Sequence, residues 1–477
     1  MQILFDHPIL HALSVLPHFR GAYLVGGAVR DLIMSRNISD IDVVVPDNPE
    51  EACRAAATAL NGTAFVLDKE REVWRTALPQ GAQVDISRMK SSPPAQKMPS
   101  FSREIFNDLS ARDFTIDAMA LPFPDGGSIL DPFGGIEDIG KKLIRALSKS
   151  ALSDDPLRLM RAFRLARQLD FHVDGETLQA VRELSPLISD ISPERVRDEL
   201  YIMLEGADSH KPFREMAEAG LLEHVLPETK PMSGLPQGEA HQDDLLGHSL
   251  KAMEFAEDVM LYPEEYFGVR APEVARYLNE RADGRLTMRG LIKLAALLHD
   301  SGKPATMSRE ADGGRIRFTG HDLKGAEVNE TVAARLKLSS RAKELLSLTA
   351  RHHMRPLHMT KEHITRHAMY RYVRDMEGHL PASLTLALAD AFATREKPES
   401  VSTDVEGVAL KLSEYYYGEF RSQEEAPLLK GRDLISEFKL KPGPVFSRLL
   451  NEVREKRAEG TIKTRDEAIE YVRGRLK

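Results

Sequence analysis

Leu24-Val25-Gly26-Gly27-Ala28-Val29-Arg30-Asp31, followed by Asp40-Ile41-Asp42-Val43-Val44-Val45, is the stretch that decides the fold. Tyr23–Val25 reads as a short strand and Ala28–Ser35 as a helix, with two glycines between them. Glycine lets the backbone approach a ligand closely, and a helix N-terminus favours an anion there. Arg30, in the first turn, can add a charge-assisted bond to a phosphate. Asp40-Ile41-Asp42 opens the next strand. Side chains alternate along a strand, so Asp40 and Asp42 share one face while Ile41 and Val43 take the other. Two neighbouring acids repel unless a cation lies between them. Mg²⁺ prefers carboxylate and phosphate oxygens. Asp85, in the strand-like Gln83–Ile86, is the candidate third acid. An isolated Asp-x-Asp is more often a surface strand edge, but the Gly-Gly turn thirteen residues upstream reverses that weighting.

Around this stretch the chain runs to 477 residues, long enough for several domains. Hydrophobic residues make up 42% and charged residues 29%, a globular balance. Cys53 is the one cysteine, so no intrachain disulfide forms. No signal-like N-terminus and no membrane-length apolar run stand out, and the chain reads as cytoplasmic with no membrane partner. Net charge is −8, weakly against a polyanion ligand. Two basic segments cut across it: residues 141–167 carry eight Lys/Arg, and residues 335–374 carry ten. Either segment is a phosphate-contacting surface or a solvated helix face. Residues 1–145 mix strand-like runs with Gly/Pro turns, and the spacing after about 150 is mostly helical. Residues 226–247 read as a linker, 308–317 as a loop, and 396–404 as a further boundary. The expected division is a head at 1–145, a neck at 146–225, a middle domain at 240–400 and a helical tail at 401–477.

Further blocks follow in order. They are Ala111-Arg112-Asp113-Phe114-Thr115-Ile116-Asp117-Ala118, Asp131-Pro132-Phe133-Gly134-Gly135 with Ile144-Arg145, Asp154-Asp155-Pro156-Leu157-Arg158, and Ser192-Pro193-Glu194-Arg195-Val196. With the opening stretch they make five ordered blocks that resemble the class II tRNA nucleotidyltransferase/poly(A) polymerase family. The resemblance implies an α+β chain: a polymerase-β-like nucleotidyltransferase head, then an all-α neck. It implies Asp40, Asp42 and, with less support, Asp85 at a Mg²⁺-dependent catalytic centre. Gly26, Gly27, Arg30, Arg112, Arg161 and Arg164 would contact nucleotide, with ATP and CTP as substrates and the tRNA 3′ end as partner. Ala111 and Asp117 replace the family's usual Arg and Asn, and Asp154 its usual Glu. None of these removes a metal ligand.

Ser153 is expected to cap a neck helix whose apolar stripe is Leu159, Phe163, Ala166 and Leu169. Asp155 and Arg158, three apart, are then neighbours on one face. The resemblance implies that they hydrogen-bond the Watson–Crick edge of the incoming base. A plain salt bridge is the alternative on spacing alone.

Downstream, His248, His299-Asp300 and Asp390 lie within helical patterns, with Lys303 just after the His-Asp pair. This constellation resembles HD-superfamily phosphohydrolases. A single histidine is usually structural, but four such residues in this order point to a metal, with imidazole and carboxylate suiting a transition metal or Mg²⁺. His321 and His352-His353 are candidates for a second ion, and Lys303 could neutralise phosphate. The tail from Gly431-Arg432-Asp433-Leu434 is assigned no chemistry.

The reading is an enzyme that adds CCA to the 3′ end of tRNA, with an HD domain appended. If the basic segments touch the RNA backbone, binding weakens as salt rises. The rivals are a CC-adding, A-adding or poly(A)-adding enzyme on the same scaffold, and an HD phosphohydrolase with an RNA-binding head. Sequence leaves the oligomeric state open.

Overall fold

The computed structural model describes residues 7–38, 40–70, 72–79, 81–89, 100–238, 243–310, 314–360, 364–394 and 399–476. Two compact units emerge, Met1–Ile191 with Glu218–His224, and Ser192–Ala217 with Val225–Lys477.

The first unit is built on a six-stranded mixed sheet: β1 Ala22–Val25, β2 Asp40–Val45, β3 Thr63–Asp68, β4 Val73–Ala77, β5 Gln83–Arg88 and β6 Ala120–Phe123. The strand order is β3-β4-β5-β2-β1-β6. Within this sheet β2 and β5 pair in parallel, and the other neighbouring strands pair antiparallel. The alternation in Asp40-Ile41-Asp42-Val43 sets the layers. Ile41 and Val43 are buried with Leu24, Val84 and Ile86 in one core, closed by Ala52, Cys53 and Ala56 of helix Pro49–Leu60. Val25 and Val44 join a second core on the other face, with Ile105, Leu109 and Ala118. Asp42 lies beside Val25 in register, at the edge of that second core.

A short helix α1, Gly27–Ile33, follows β1 across the Gly26 turn. The neck helix differs from the expectation. Ser148, not Ser153, caps α2 Lys149–Asp154, and Ser153 lies inside it, its hydroxyl donating to the Ser150 carbonyl. Asp155 is extended, and α3 Leu157–Leu169 begins after Pro156. The cause is local: a proline disfavours helical backbone in the residue before it. The stripe Leu159, Phe163, Ala166 and Leu169 is buried as expected.

The second unit is helical. Its centre uses α4 Leu245–Leu261, α5 Met288–Leu298, α6 His321–Arg335, α7 Ser340–His352 and α8 Leu380–Ala393. Ten of the eleven residues of α5 are buried, so it is the spine of this unit. The stretch 226–247 is more ordered than a linker. Leu226 and Met232 anchor a 3₁₀ helix, Pro227–Met232, and the Asp244 carboxylate caps α4 through the Gly247 amide at 2.7 Å. Residues 239–242 lie outside the described residues. The 308–317 loop contains a hairpin, Ser308–Arg309 with Ile316–Arg317, and 311–313 lie outside the described residues. Of the boundary at 396–404, residues 396–398 are also outside, and a helix Glu399–Tyr415 runs through the rest. The tail has its own core of Leu429, Leu434, Leu449, Val453, Ile462, Ala468 and Val472. Among the described residues no helix is long and apolar enough to cross a membrane.

Candidate functional sites: a carboxylate turn and a histidine-aspartate centre

In the first unit, β2 carries Asp40 and Asp42 on one face, and parallel pairing sets Asp85 in register with Asp42. Asp40 is exposed and Asp42 half-buried. Burial raises the Asp42 carboxyl to about 6; Arg112 opposes the rise, and repulsion from Asp85, Asp117 and Asp40 adds to it. A divalent cation would relieve that repulsion, and carboxylate oxygens are the donors Mg²⁺ prefers. Asp85 spends both oxygens on Arg75, its register partner on β4, at 2.6 and 2.7 Å.

Gly26 makes the turn possible. Its φ is +67°, and a Cβ there would stand 2.5 Å from Arg112 Nη1 and 3.0 Å from Asp42 Oδ2. The backbone therefore passes where no side chain fits. Arg112 also pairs with the buried Asp108 at 3.2 Å. Arg30 is buried, donating to Asp31 at 2.9 Å and to Asp117 at 2.6 Å. Most of its charge is therefore balanced inside the protein, which the sequence reading did not foresee.

Where the chain leaves the head, a cavity of about 260 Å³ is lined by Ala111, Ser148, Asp154, Asp155 and Arg158, among others. Asp155 and Arg158 do not share a helix face, since Asp155 precedes the helix, yet both line this cavity. The Arg158 guanidinium donates to the carbonyls of Ala151 at 2.8 Å and Ala111 at 3.0 Å, which fixes its plane. A carboxylate acceptor and a guanidinium donor in one cavity can match the edge of a base. Arg161 pairs with buried Asp113 at 2.8 Å, and Arg164 donates to Gln168 at 2.7 Å. The basic segment 141–167 is extensively paired, Lys141 with Glu137, Lys142 with Asp170, Arg145 with Asp138, and Lys149 with Glu183. Its outward field is weaker than its charge count.

In the second unit, two sets of ligand atoms converge: His248, His299 and Asp390, and Asp300, His321 and His353. His248 Nε2 is 3.0 Å from Asp390 Oδ1, and His299 Nε2 is 3.1 Å from Asp300 Oδ2. The other oxygen, Asp300 Oδ1, lies 3.5 Å from both His321 Nε2 and His353 Nε2. One carboxylate thus faces both sets. The Nδ1 atoms of His299, His321 and His353 donate to the carbonyls of Ala296, Phe318 and Ala350. A carbonyl only accepts, so Nδ1 carries a proton and Nε2 faces the centre, the orientation of a metal-ligating imidazole. Burial favours neutral His299, but Asp300 and Asp390 outweigh it and lift the ring to about 9. Lys303 pairs with Asp300 Oδ2 at 2.6 Å and donates to Gln237 at 2.8 Å. Gly302 packs against the His321 carbonyl and Gly325 with no room for a Cβ, which brings His321 to Asp300. Asp300 Oδ1 is buried without a hydrogen-bond partner among the described residues, and His299 Nε2 faces the Asp300 and Asp390 carboxylates. Imidazole nitrogens and carboxylate oxygens left converging in this way fit a transition metal better than an all-oxygen ion such as Mg²⁺.

His352 is not part of either set. Burial and then Arg355 lower it to about 4, and its neighbour His353 takes the position at the centre. Adjacent helical residues are about 100° apart, and here His353 turns towards Asp300 while His352 does not. The pairings of Asp113 with Arg161 and of Asp117 with Arg30 join residues far apart in sequence, and Arg75 meets Asp85 through strand register, so sequence did not reveal them.

Residues 22–145 match the Poly A polymerase head domain, 170–233 the probable RNA and SrmB-binding site of polymerase A, and 245–395 the HD domain. An A-adding tRNA nucleotidyltransferase of Deinococcus radiodurans is 34% identical over 466 residues, 96% of each chain. A CC-adding tRNA nucleotidyltransferase of Thermus thermophilus is 29% identical over 455 residues, 94% of this chain and 92% of the relative. Among solved structures, a CCA-adding enzyme with CTP has a TM-score of 0.67 at 22% identity, covering 100% of this chain and 98% of the other. A Thermotoga maritima CCA-adding enzyme complexed with tRNA has a TM-score of 0.62, also at 22% identity, with the same coverage. At that identity the likeness speaks for the fold.

Proposed function

The chain belongs to the tRNA nucleotidyltransferase/poly(A) polymerase family, and from that premise we propose that it adds nucleotides to the 3′ end of tRNA, completing CCA from CTP and ATP without a template. The observation that carries this reading is the placement of Asp42 beside the Gly26 turn, close to the Arg112 guanidinium, with Asp40 two residues before it on the same face of β2. Asp40 and Asp42 would hold Mg²⁺, which when bound assists ionisation of the attacking hydroxyl and neutralises phosphate charge. The RNA 3′ oxygen attacks the α-phosphate, the bond to the β-phosphate oxygen breaks, and pyrophosphate leaves. The protein's part is positioning rather than covalent chemistry. Gly26, Gly27, Arg30 and Arg112 line the triphosphate path. Asp155 and Arg158 present an acceptor and a donor to the base, with Arg161 and Arg164 alongside. Asp85 supports Asp42 from the next strand, its charge balanced by Arg75. We assign the head to 1–145, the neck to 146–225, the HD domain to 240–400 and the tail to 401–477.

A narrower reading, addition of the terminal A alone, is favoured by the Deinococcus radiodurans relative, which matches along nearly the whole chain. Both readings share the carboxylate centre. Extension of labelled tRNA ending before CCA, or ending in CC, with CTP and ATP singly and together, separates them. Growth that stops after CCA supports the first reading; growth only from a CC end with ATP supports the second; no growth on either tRNA rejects both.

The HD centre supports a second activity, metal-dependent phosphoester hydrolysis. His248, His299, Asp300 and Asp390, with His321 and His353, would hold the ions, which supply a water of lowered pKa. Release of phosphate from a phosphomonoester by the wild type but not by Asp300→Asn supports it, and equal release by both rejects it.

A further inference from the structure

Arg30 is only 9% exposed, yet one of its three guanidinium nitrogens is uncommitted. Nε donates to Asp31 and Nη1 to Asp117. Nη2 makes no hydrogen bond among the described residues and lies 3.2 Å from where a Cβ on Gly27 would stand. The guanidinium is planar, so holding two of its nitrogens from different sides fixes the direction of the third. Asp31 is the next residue in the same helix and turns with it. Asp117 is 87 residues away and supplies the fixed reference.

Asp117 is itself well anchored. It ends the 3₁₀ turn Thr115–Asp117 and is 6% exposed. Thr115 donates through its hydroxyl to buried Asp138 at 2.6 Å, and its amide donates to the Arg145 carbonyl at 2.9 Å. A second carboxylate this close to Asp42 is electrostatically costly. Burial raises its carboxyl above the usual value, and attraction to Arg30, and to Arg161 and Arg112, opposes that rise.

We propose that Asp117 is a positioning residue for the incoming nucleotide, turning the Arg30 guanidinium so that Nη2 faces the Gly27 turn on the triphosphate path. This rests on the nucleotidyl-transfer reading. Asp117 acts through Arg30 and touches neither RNA nor base. Losing its charge loosens the guanidinium and weakens nucleotide binding, whichever nucleotide is used. A lysine at position 30 has a point charge with no plane to set, so Asp117 has nothing to aim in that background.

The test uses the full chain and labelled tRNA lacking its terminal nucleotides. KM for nucleotide, KM for tRNA and kcat are measured for wild type, Asp117→Asn, Arg30→Lys and the double variant. Asp117→Asn keeps an oxygen acceptor, so the fold is preserved better than with alanine. The expected result is a rise in nucleotide KM of about fivefold for Asp117→Asn, the net size of one ordinary hydrogen bond, with kcat and tRNA KM within about twofold. In the Arg30→Lys background the same change adds less than about twofold. A purely structural role would move kcat, tRNA KM and the unfolding temperature together. An unchanged nucleotide KM in Asp117→Asn, or an undiminished effect of that change in the Arg30→Lys background, overturns the proposal. A wild type that extends no tRNA rejects the parent reading, whereas an active wild type with an indifferent Asp117→Asn rejects only this one.

Discussion

Asp42 and Asp85 stand in register on parallel neighbouring strands, yet their carboxylates have different company: Asp85 is gripped by Arg75 through both oxygens, while burial and acidic neighbours raise Asp42 to about 6. The two acids therefore should not respond alike to mutation. Asp42→Asn is expected to lower nucleotide addition at least about a hundredfold, the scale of removing a preorganised charge from a transition state. Asp85→Asn, whose charge is already balanced, should cost less than about tenfold. Single-turnover extension at saturating Mg²⁺ measures both. Equal losses would make Asp85 a full member of the centre.

Gly26 tests the backbone's part. Its positive φ strains any other residue, and a Cβ would meet Arg112 and Asp42. Gly26→Ala should cost about 1–3 kcal/mol of stability from strain and lower nucleotide addition by more than the loss of folded protein explains. Thermal unfolding alongside extension rates checks both parts, and unchanged activity would separate the turn from the chemistry.

The HD centre predicts an ordered set of metal losses. His248→Ala should reduce binding at the His248, His299 and Asp390 set, and His353→Ala at the Asp300, His321 and His353 set. Asp300→Ala should weaken both, since its two oxygens face different sets. His352→Ala should leave metal content unchanged. Elemental analysis of the purified variants after metal loading and desalting gives the answer, and a loss in His352→Ala equal to that in His353→Ala would contradict the assignment.

Glu257 predicts a pH signature in stability. Burial opposes its charge, but His210, Lys293 and Ser209 outweigh burial and hold its carboxyl at about 2. A depressed carboxyl stabilises the fold fully above its unfolded value of about 4.5 and loses that contribution as pH falls towards its folded value. The shift corresponds to about 3 kcal/mol. The stability gap between wild type and Glu257→Gln, from urea unfolding, should therefore be widest above pH 5 and shrink towards pH 2. A gap that is constant over that range would show that Glu257 is not held as the structure describes.

The sequence reveals what is local. Gly-Gly followed by Asp-x-Asp places the carboxylates because strand alternation needs only neighbouring residues, and His299-Asp300 announces its centre for the same reason. The break at Pro156 was also legible, since a proline restricts its predecessor, but the acidic pair before it drew the helix too long. The long-range pairs were not legible. Nothing near Arg30 signals that its partner is Asp117, 87 residues on. Arg75 meets Asp85 only because β4 and β5 pair in a particular register. The choice between His352 and His353 depends on how α7 is rotated against Asp300, which packing decides.

The central claim is that the head, through Asp40 and Asp42, transfers nucleotides to tRNA. The most direct measurement is extension of labelled tRNA by wild type, Asp42→Asn and Asp300→Asn with Mg²⁺, CTP and ATP. Wild type and Asp300→Asn should extend the RNA at similar rates, while Asp42→Asn should not extend it. Extension that survives Asp42→Asn, or that is lost with Asp300→Asn, would contradict the account and move the chemistry to the HD centre.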